Sequence, residues 1–215
     1  SPHDELVIEE VNKITDISLV KTQQDDSNIT IIGKEIDDIY IERVKSLSLD
    51  NGYIAKHKDL KIVYTPLHGT GISIIPQALK AYGFENVSIV SPQAIPDGNF
   101  PTCVSPNPEE PSALELGLRQ AQSEDADILL ATDPDADREA IAVKKKNGEW
   151  VLLNGNQTAT LFSYYLLKRW SEEGKLNGKQ YVIKTIVTTE MIKKVAERFC
   201  VDCFDTLTGF KHIAA

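Results

Sequence analysis

The sequence predicts an α/β protein: a three-layer α/β/α domain on a mixed, mainly parallel sheet, followed by a truncated second α/β unit. Three observations carry this. Apolar runs near 61–65, 87–90 and 127–130 alternate with segments of helical period. Right-handed crossovers between such runs make the strands parallel. A further strand–helix–strand pattern over 181–207 is too small to bury both faces of its own sheet.

Taken in order, residues 4–15 place Leu6, Val7, Val11 and Ile14 on one helical face. Residues 28–32 (Asn-Ile-Thr-Ile-Ile) read as a short strand ending at Gly33, and 34–49 as a helix carrying Ile36, Ile39, Tyr40 and Val44. A better-defined unit starts with the strand 61–65 and the turn Pro66-Leu67-His68-Gly69-Thr70-Gly71. A helix over 72–82 follows, stopped by Gly83. After the strand 87–90 comes a long proline-rich connection, 92–111, which contains Ser105-Pro106-Asn107-Pro108. Connections of this length are often functional. Proline opens a predicted helix over 111–123. The strand 127–130 precedes an acidic loop. Segments 140–144 and 149–153 flank Asn147-Gly148, a hairpin signal. A helix over 157–170 closes the unit, and a polar linker, 171–178, leads to the strand 181–188, the helix 190–199 and the strand 203–207. Both punctuated loops, 65–71 and 132–138, leave the carboxyl ends of strands, the edge where such sheets bind ligands.

The chain has 215 residues, 41% hydrophobic and 26% charged, which is enough for a sizeable core. Its 23 basic and 32 acidic residues give a net charge of −9. That argues against nucleic acid or anionic membrane as a main partner. It leaves room for phosphate binding through local Arg, Lys, Mg²⁺ or helix N-termini. No apolar run approaches membrane-spanning length, and Ser-Pro-His-Asp-Glu does not open like a signal peptide. Cys103 stands alone, and Cys200 and Cys203 form one C-x-x-C without the second ligand pair of a zinc site. Reduced thiols in a cytoplasmic protein are the expectation.

The chemistry concentrates in Ala131-Thr132-Asp133-Pro134-Asp135-Ala136-Asp137-Arg138. Three carboxylates at i, i+2 and i+4 would share one face of a straight strand. Crowded like charges raise one another's pKa unless a cation joins them. Oxygen-only ligands suit a hard ion such as Mg²⁺. Pro134 fixes φ in the loop, and Arg138 sets a permanent cation at its edge. An EF-hand would need Gly and Glu where Arg138 and Lys144 stand. An aspartyl-nucleophile phosphatase would need Thr or Val at Asp137 or Glu139. The glycines of 68–71 lack the third position of a dinucleotide fingerprint, where Ile74 stands. His68 reads more readily as fixing the turn than as facing the cleft. Gly69 and Gly71 expose N–H groups that could hold an anion, although turn-forming glycines are equally expected there.

With these residues in place, the chain resembles the α-D-phosphohexomutase superfamily of phosphoglucomutases and phosphomannomutases. Tyr64–Gly71 resembles the opening of its second domain, Asp133–Arg138 its metal-binding loop, and Thr208-Gly209-Phe210-Lys211 the sugar-recognition loop of its third domain. The Ser-Pro-Asn-Pro-Glu-Glu-Pro insertion looks closest to the phosphoglucomutases. The resemblance implies residues 1–57 as the tail of a preceding domain with a connecting helix, 58–172 as a metal-binding domain, and 178–215 as the start of a sugar-binding domain. It implies exchange of a phosphoryl group between a phosphoserine and a hexose phosphate through a bisphosphate. Asp133, Asp135 and Asp137 would hold Mg²⁺, Arg138 would steady the loop and face phosphate, and Thr208, Gly209 and Lys211 would contact substrate. No phosphoserine motif of the Thr-Ala-Ser-His-Asn-Pro type is present in the 215 residues, so they are expected to be inactive without the remaining domains of the same polypeptide. Glu139 and Ala140 depart from the family pattern, which has an apolar residue and Gly there. A phosphomannomutase, a phosphopentomutase or a non-catalytic sugar-phosphate or metal-binding module are the alternatives.

Overall fold

The computed structural model describes every residue except 1, 21, 24, 25, 50, 51 and 215. It divides into two compact units, residues 1–36 and 37–215. The first holds helix α1 (Pro2–Asn12) and a turn at Ile17–Leu19. The predicted helical face is there, but Leu6, Val7 and Val11 are exposed on α1 and Ile14 lies beyond its end. The predicted strand at 28–32 does not form. Among the described residues no strand lies beside its apolar side chains to pair with them, and Ile31 is 86% exposed. β-Propensity expresses itself only against a neighbour.

Helix α2 spans Lys34–Lys45, and its Ile41, in the second unit, is buried. The Tyr82 hydroxyl donates to the Val44 carbonyl at 3.0 Å. A one-turn helix α3 (Tyr53–Lys56), unsignalled in the sequence, leads into β1 (Lys61–Thr65). Then come α4 (Ile75–Tyr82), β2 (Asn86–Ile89), α5 (Glu115–Ser123), β3 (Ile128–Thr132), β4 (Glu139–Lys144) and β5 (Trp150–Leu153). The sheet order is β2-β1-β3-β4-β5. β1 pairs in parallel with both β2 and β3, and β4 is antiparallel to both its neighbours. All strands but β4 therefore run one way, giving the mixed, mainly parallel sheet of an α/β domain.

Residues 62–65 of β1 are all buried, as expected of a parallel strand covered on both faces. On one side Val63, Leu129 and Ala131 pack with Val90, Leu114 and Ala121. Each fully buried Leu there contributes about 1.5–3 kcal/mol. Gly83 stops α4 as predicted, in the left-handed conformation at φ 102°, while the Phe84 N–H reaches back to the Leu79 carbonyl. Pro111 does not start α5. Turns carry the chain from Glu110 to Leu114 and the helix begins at Glu115. The hairpin forms, but only Gly148 takes a positive φ. The Gly148 N–H closes on the Lys145 carbonyl and the Lys145 N–H on the Glu149 carbonyl, a longer loop than a two-residue Asn-Gly turn.

Helix α6 (Gly155–Glu172) starts in a reciprocal capping box: the Gln157 N–H donates to Asn154 Oδ1 at 3.0 Å, and the Asn154 N–H donates to Gln157 Oε1 at 2.9 Å. It does not close the first sheet. It packs on α7, and Leu167 joins a second core with Ala196 and Val201. That core belongs to β6 (Tyr181–Thr185), α7 (Met191–Arg198), β7 (Asp202–Thr206) and the terminal turn α8 (Phe210–Ile213). β6 and β7 are parallel, and both end earlier than predicted. Val182, Cys203 and Lys184 line the helix side, whereas Tyr181 and Phe204 stand in solvent on the other, their rings 6.0 Å apart. Among the described residues, no helix is long and apolar enough to cross a membrane.

Leu129 sits at the centre of the larger core, and Leu129→Ala should cost about 2–5 kcal/mol. Urea unfolding of the 215-residue chain measures this, and a loss below 1 kcal/mol would contradict the packing described.

Candidate metal centre

β3 ends at Thr132, so the three aspartates do not share the pleat of a strand. A turn brings them together instead. The Ala136 N–H donates to the Asp133 carbonyl at 3.0 Å, Ala136 takes φ 60°, and the Asp133 N–H meets the Arg138 carbonyl at 3.2 Å. One ligand oxygen from each of Asp133, Asp135 and Asp137 lies within 4.8 Å of the others. Trans oxygens around a hard ion with 2.1 Å bonds are about 4.2 Å apart. The carboxylates are thus close enough for a small inward shift to bring all three onto one small divalent cation, and an oxygen-only donor set is the chemistry such an ion takes.

Their environments differ. Asp133 is buried, 1% exposed, and Asp135 and Asp137 are open to solvent. Arg138 grips Asp133 twice: its N–H donates to Oδ1 at 3.0 Å and its Nε to Oδ2 at 2.7 Å. Burial pushes the Asp133 carboxyl up, and the Arg138 backbone and side-chain donors more than reverse that, so it titrates below its ordinary value. Asp137 goes the other way, raised first by the charge of Asp135 and then by burial and Asp133. Arg138 is raised in turn by its bond to Asp133. Each Asp133 oxygen keeps a second lone pair for a metal. Glu139 opens β4 on the exposed face, and desolvation raises its carboxyl.

The turn after β1 braces this loop. Pro134 lies so close to Gly69 that a Cβ there would fall 2.3 Å from its Cα. The Thr70 N–H and Oγ1 both donate to the Pro134 carbonyl, at 2.9 and 3.1 Å. A Cβ on Gly71 would strike the Tyr64 hydroxyl and Thr132 Oγ1, which are hydrogen-bonded at 2.8 Å beneath it. These two glycines are therefore required by close approach. His68 is buried and fixes the turn: its ring contacts the Ile95 carbonyl at 3.1 Å and Thr102 Oγ1 at 2.8 Å. The proline-rich connection reaches the site too, for Asn107 Oδ1 accepts from Arg138 Nη1 at 3.5 Å. Gln93, Thr102 and the Tyr64–Thr132 pair carry no local sequence signal, because their partners lie 9 to 68 residues away.

Of the other predicted residues, Gly209 caps α8 at φ 120°, and Lys211 is exposed. The Thr206 hydroxyl closes that loop onto the His212 carbonyl at 3.0 Å. Among the described residues, no hydrogen bond or ion pair joins Thr208, Gly209 or Lys211 to the acidic loop.

A braced acidic turn at the carboxyl edge of a mixed α/β sheet, with a second β-α-β unit behind it, matches one family over most of the chain. Residues 38–148 match the family model described as phosphoglucomutase/phosphomannomutase, alpha/beta/alpha domain II, and residues 154–215 match its domain III. The chain belongs to the phosphoglucomutase/phosphomannomutase family. A Staphylococcus aureus phosphoglucomutase is 36% identical over 207 residues, covering 96% of this chain and 36% of that protein. A Haemophilus influenzae protein named a probable phosphomannomutase is 32% identical over 214 residues, covering 99% of this chain and 42% of its own length. The chain thus spans about two fifths of the curated relatives it matches. A solved phosphoglucomutase/phosphomannomutase family protein from Burkholderia thailandensis shares the fold, with TM-score 0.57, 21% identity, and coverage of 85% of this chain and 41% of that one.

Two outcomes follow for the loop. Gly69→Ala should cost about 1–3 kcal/mol by forcing the turn off Pro134. Gly98→Ala, where a Cβ meets nothing, should stay within about 0.5 kcal/mol. Urea melts of the two variants compare them directly.

The second concerns pH. A raised folded pKa at Asp137 means that its charge opposes folding at neutral pH and is relieved as pH falls towards that value. Metal-free Asp137→Asn should resist urea better than wild type at pH 7, with the gap closing below about pH 4. Asp133, with a lowered folded pKa, stabilises above about pH 4 and loses this as pH falls through the folded value. A less stable Asp137→Asn at pH 7 would refute the crowding.

Proposed function

We propose that this chain is the central part of a phosphoglucomutase that interconverts hexose 1-phosphate and 6-phosphate through a phosphoserine on a preceding domain and a bisphosphate intermediate. The convergence of Asp133, Asp135 and Asp137 in a braced loop, within a member of this family, carries the reading. Phosphoglucomutase is favoured by the Staphylococcus aureus relative. The Haemophilus influenzae relative keeps the phosphomannomutase reading in play.

In this reading Asp133, Asp135 and Asp137 would hold Mg²⁺, and a bound ion would supply positive charge against a phosphoryl group. Asp133 is presented rigidly because Arg138 fixes both its oxygens. Arg138 has donors left over beyond that grip, and its half-exposed side chain can meet a substrate phosphate. Thr208 and Gly209 would contact the sugar, and the exposed Lys211 would supply a phosphate contact or a proton. Residues 1–36 would be the tail of a preceding domain, and the metal domain would begin with the domain II match at 38 and run to 153. Helix α6 would go with the sugar-binding domain, because it packs there. The three free cysteines, Cys103, Cys200 and Cys203, favour a reducing, cytoplasmic setting.

The test is a mutase assay of the full-length protein with glucose 1-phosphate and mannose 1-phosphate. Faster turnover of glucose 1-phosphate is expected, with the 215-residue chain inactive by itself. A full-length protein that turns over neither sugar, or a native gene without an upstream phosphoserine segment, would refute the proposal. Calorimetry should show weak Mg²⁺ binding to the 215-residue chain, because the serine phosphate is missing, and less to Asp135→Asn. Indistinguishable titrations would remove the metal site.

A further inference from the structure

The turn 66–71 contains two consecutive non-glycine residues in the left-handed region, Leu67 at φ 46° and His68 at φ 63°. Such backbone persists only where the surroundings over-determine it. Here the surroundings form one chain of hydrogen bonds with a single direction. The Ile95 carbonyl can only accept, so His68 Nδ1 carries a proton, and in the neutral ring Nε2 then accepts from the Thr102 hydroxyl. Thr102 Oγ1 accepts in turn from Gln93 Nε2 at 3.1 Å. Gln93 Oε1 accepts from the Thr65 hydroxyl at 2.7 Å, and Thr65 Oγ1 accepts from the Leu67 N–H at 3.2 Å. Backbone bonds close it on both sides of His68: its N–H donates to the Gln93 carbonyl at 2.9 Å, and its carbonyl accepts from Asp97 at 3.1 Å. Thr65, His68 and Gln93 are all buried, so water does not replace a lost member cheaply.

The next two residues, Gly69 and Thr70, touch the acidic loop at Pro134, between Asp133 and Asp135. We propose that His68, held as the Nδ1–H tautomer by Thr102, is a positioning residue for the acidic loop: it keeps the left-handed turn that presses Gly69 and Thr70 onto Pro134, and through Pro134 it sets the spacing of Asp133, Asp135 and Asp137. This rests on those three carboxylates being a divalent-cation site. Thr102 lies in the proline-rich connection, so that connection contributes to the metal site through His68 as well as through Asn107.

The test is Mn²⁺ binding to the full-length protein by electron paramagnetic resonance, with thermal melting of each metal-free variant alongside. Asp135→Asn is the control for the site and should abolish tight binding. Thr102→Val removes the donor to His68 and should weaken Mn²⁺ about 10-fold, as loss of a group supporting a metal ligand does. Thr102→Ser restores the hydroxyl and should bind within about twofold of wild type. If Thr102→Val does not fold, Thr70→Val, which removes one of the two donors to Pro134, should weaken binding about threefold. In wild type the His68 ring should show a protonated Nδ1 and a bare Nε2 by ¹⁵N resonance. Wild-type Mn²⁺ affinity in Thr102→Val or Thr70→Val, with Asp135→Asn impaired, would overturn the positioning role and leave the site standing. Unimpaired binding by Asp135→Asn would overturn the site and the inference together.

Discussion

The contact on which the rest of the site depends is the approach of Gly69 to Pro134. Two loops leaving the carboxyl ends of adjacent parallel strands, β1 and β3, meet there without a side chain between them. Thr70 fills the gap with two donors to one carbonyl. Gly71 makes a similar approach over the Tyr64–Thr132 hydrogen bond, which joins the ends of the same two strands. Strand pairing fixes the register of the loop bases, and the glycines let the loops close above them. An acidic turn needs this support, because three carboxylates supply no cohesion of their own.

The electrostatics divide the labour within the turn. Asp133 is buried and compensated, with Arg138 meeting both of its oxygens, so it is an anchor whose charge is secured before any metal arrives. Asp135 and Asp137 face solvent, and the charge of the first raises the pKa of the second. Removing a partner from a buried charge is costly, whereas exposed charges are screened. The outer pair therefore gains from a cation, while the inner one supplies geometry. Arg138 cannot be judged from its exposed guanidinium alone, since Nε is committed to Asp133 and Nη1 leans towards Asn107.

The fold was legible wherever the sequence carried a period or a punctuation mark. The strands around 61–65 and 128–132, Gly83 as a helix stop and the Asn147-Gly148 hairpin all appear. Residues 28–32 were misread because an apolar run does not reveal whether a pairing partner exists. Pro111 misled for the opposite reason: a proline that can start a helix also suits the turns that delay it to Glu115. At the site, the ligand types were readable and their geometry was not. The aspartates converge through a left-handed Ala136, and strand alternation plays no part. Gln93 and Thr102 were invisible, since single polar residues in a long connection reveal a structural role only once the chain has brought them to His68.

Helix α6 shows how such a site is joined to what lies beyond it. Only Asn154 separates β5 from α6, and that residue is spent on the capping box. Two residues on, Asn156 Oδ1 accepts the Thr189 N–H at 3.0 Å, in the loop between β6 and α7. Lys184 reinforces that same loop: its buried ammonium bonds Asp205 on β7 at 2.6 Å, Glu190 at 2.8 Å and the Thr188 carbonyl at 3.2 Å. Asp205 lies three residues before Thr208. The end of β7, which carries the 208–211 loop, is thus tied through Lys184 and Thr189 to the first turn of α6, directly after the sheet that carries the acidic loop. A junction this short leaves few torsions between the two loops. The backbone around Asn154 is the covalent link between the two sheets.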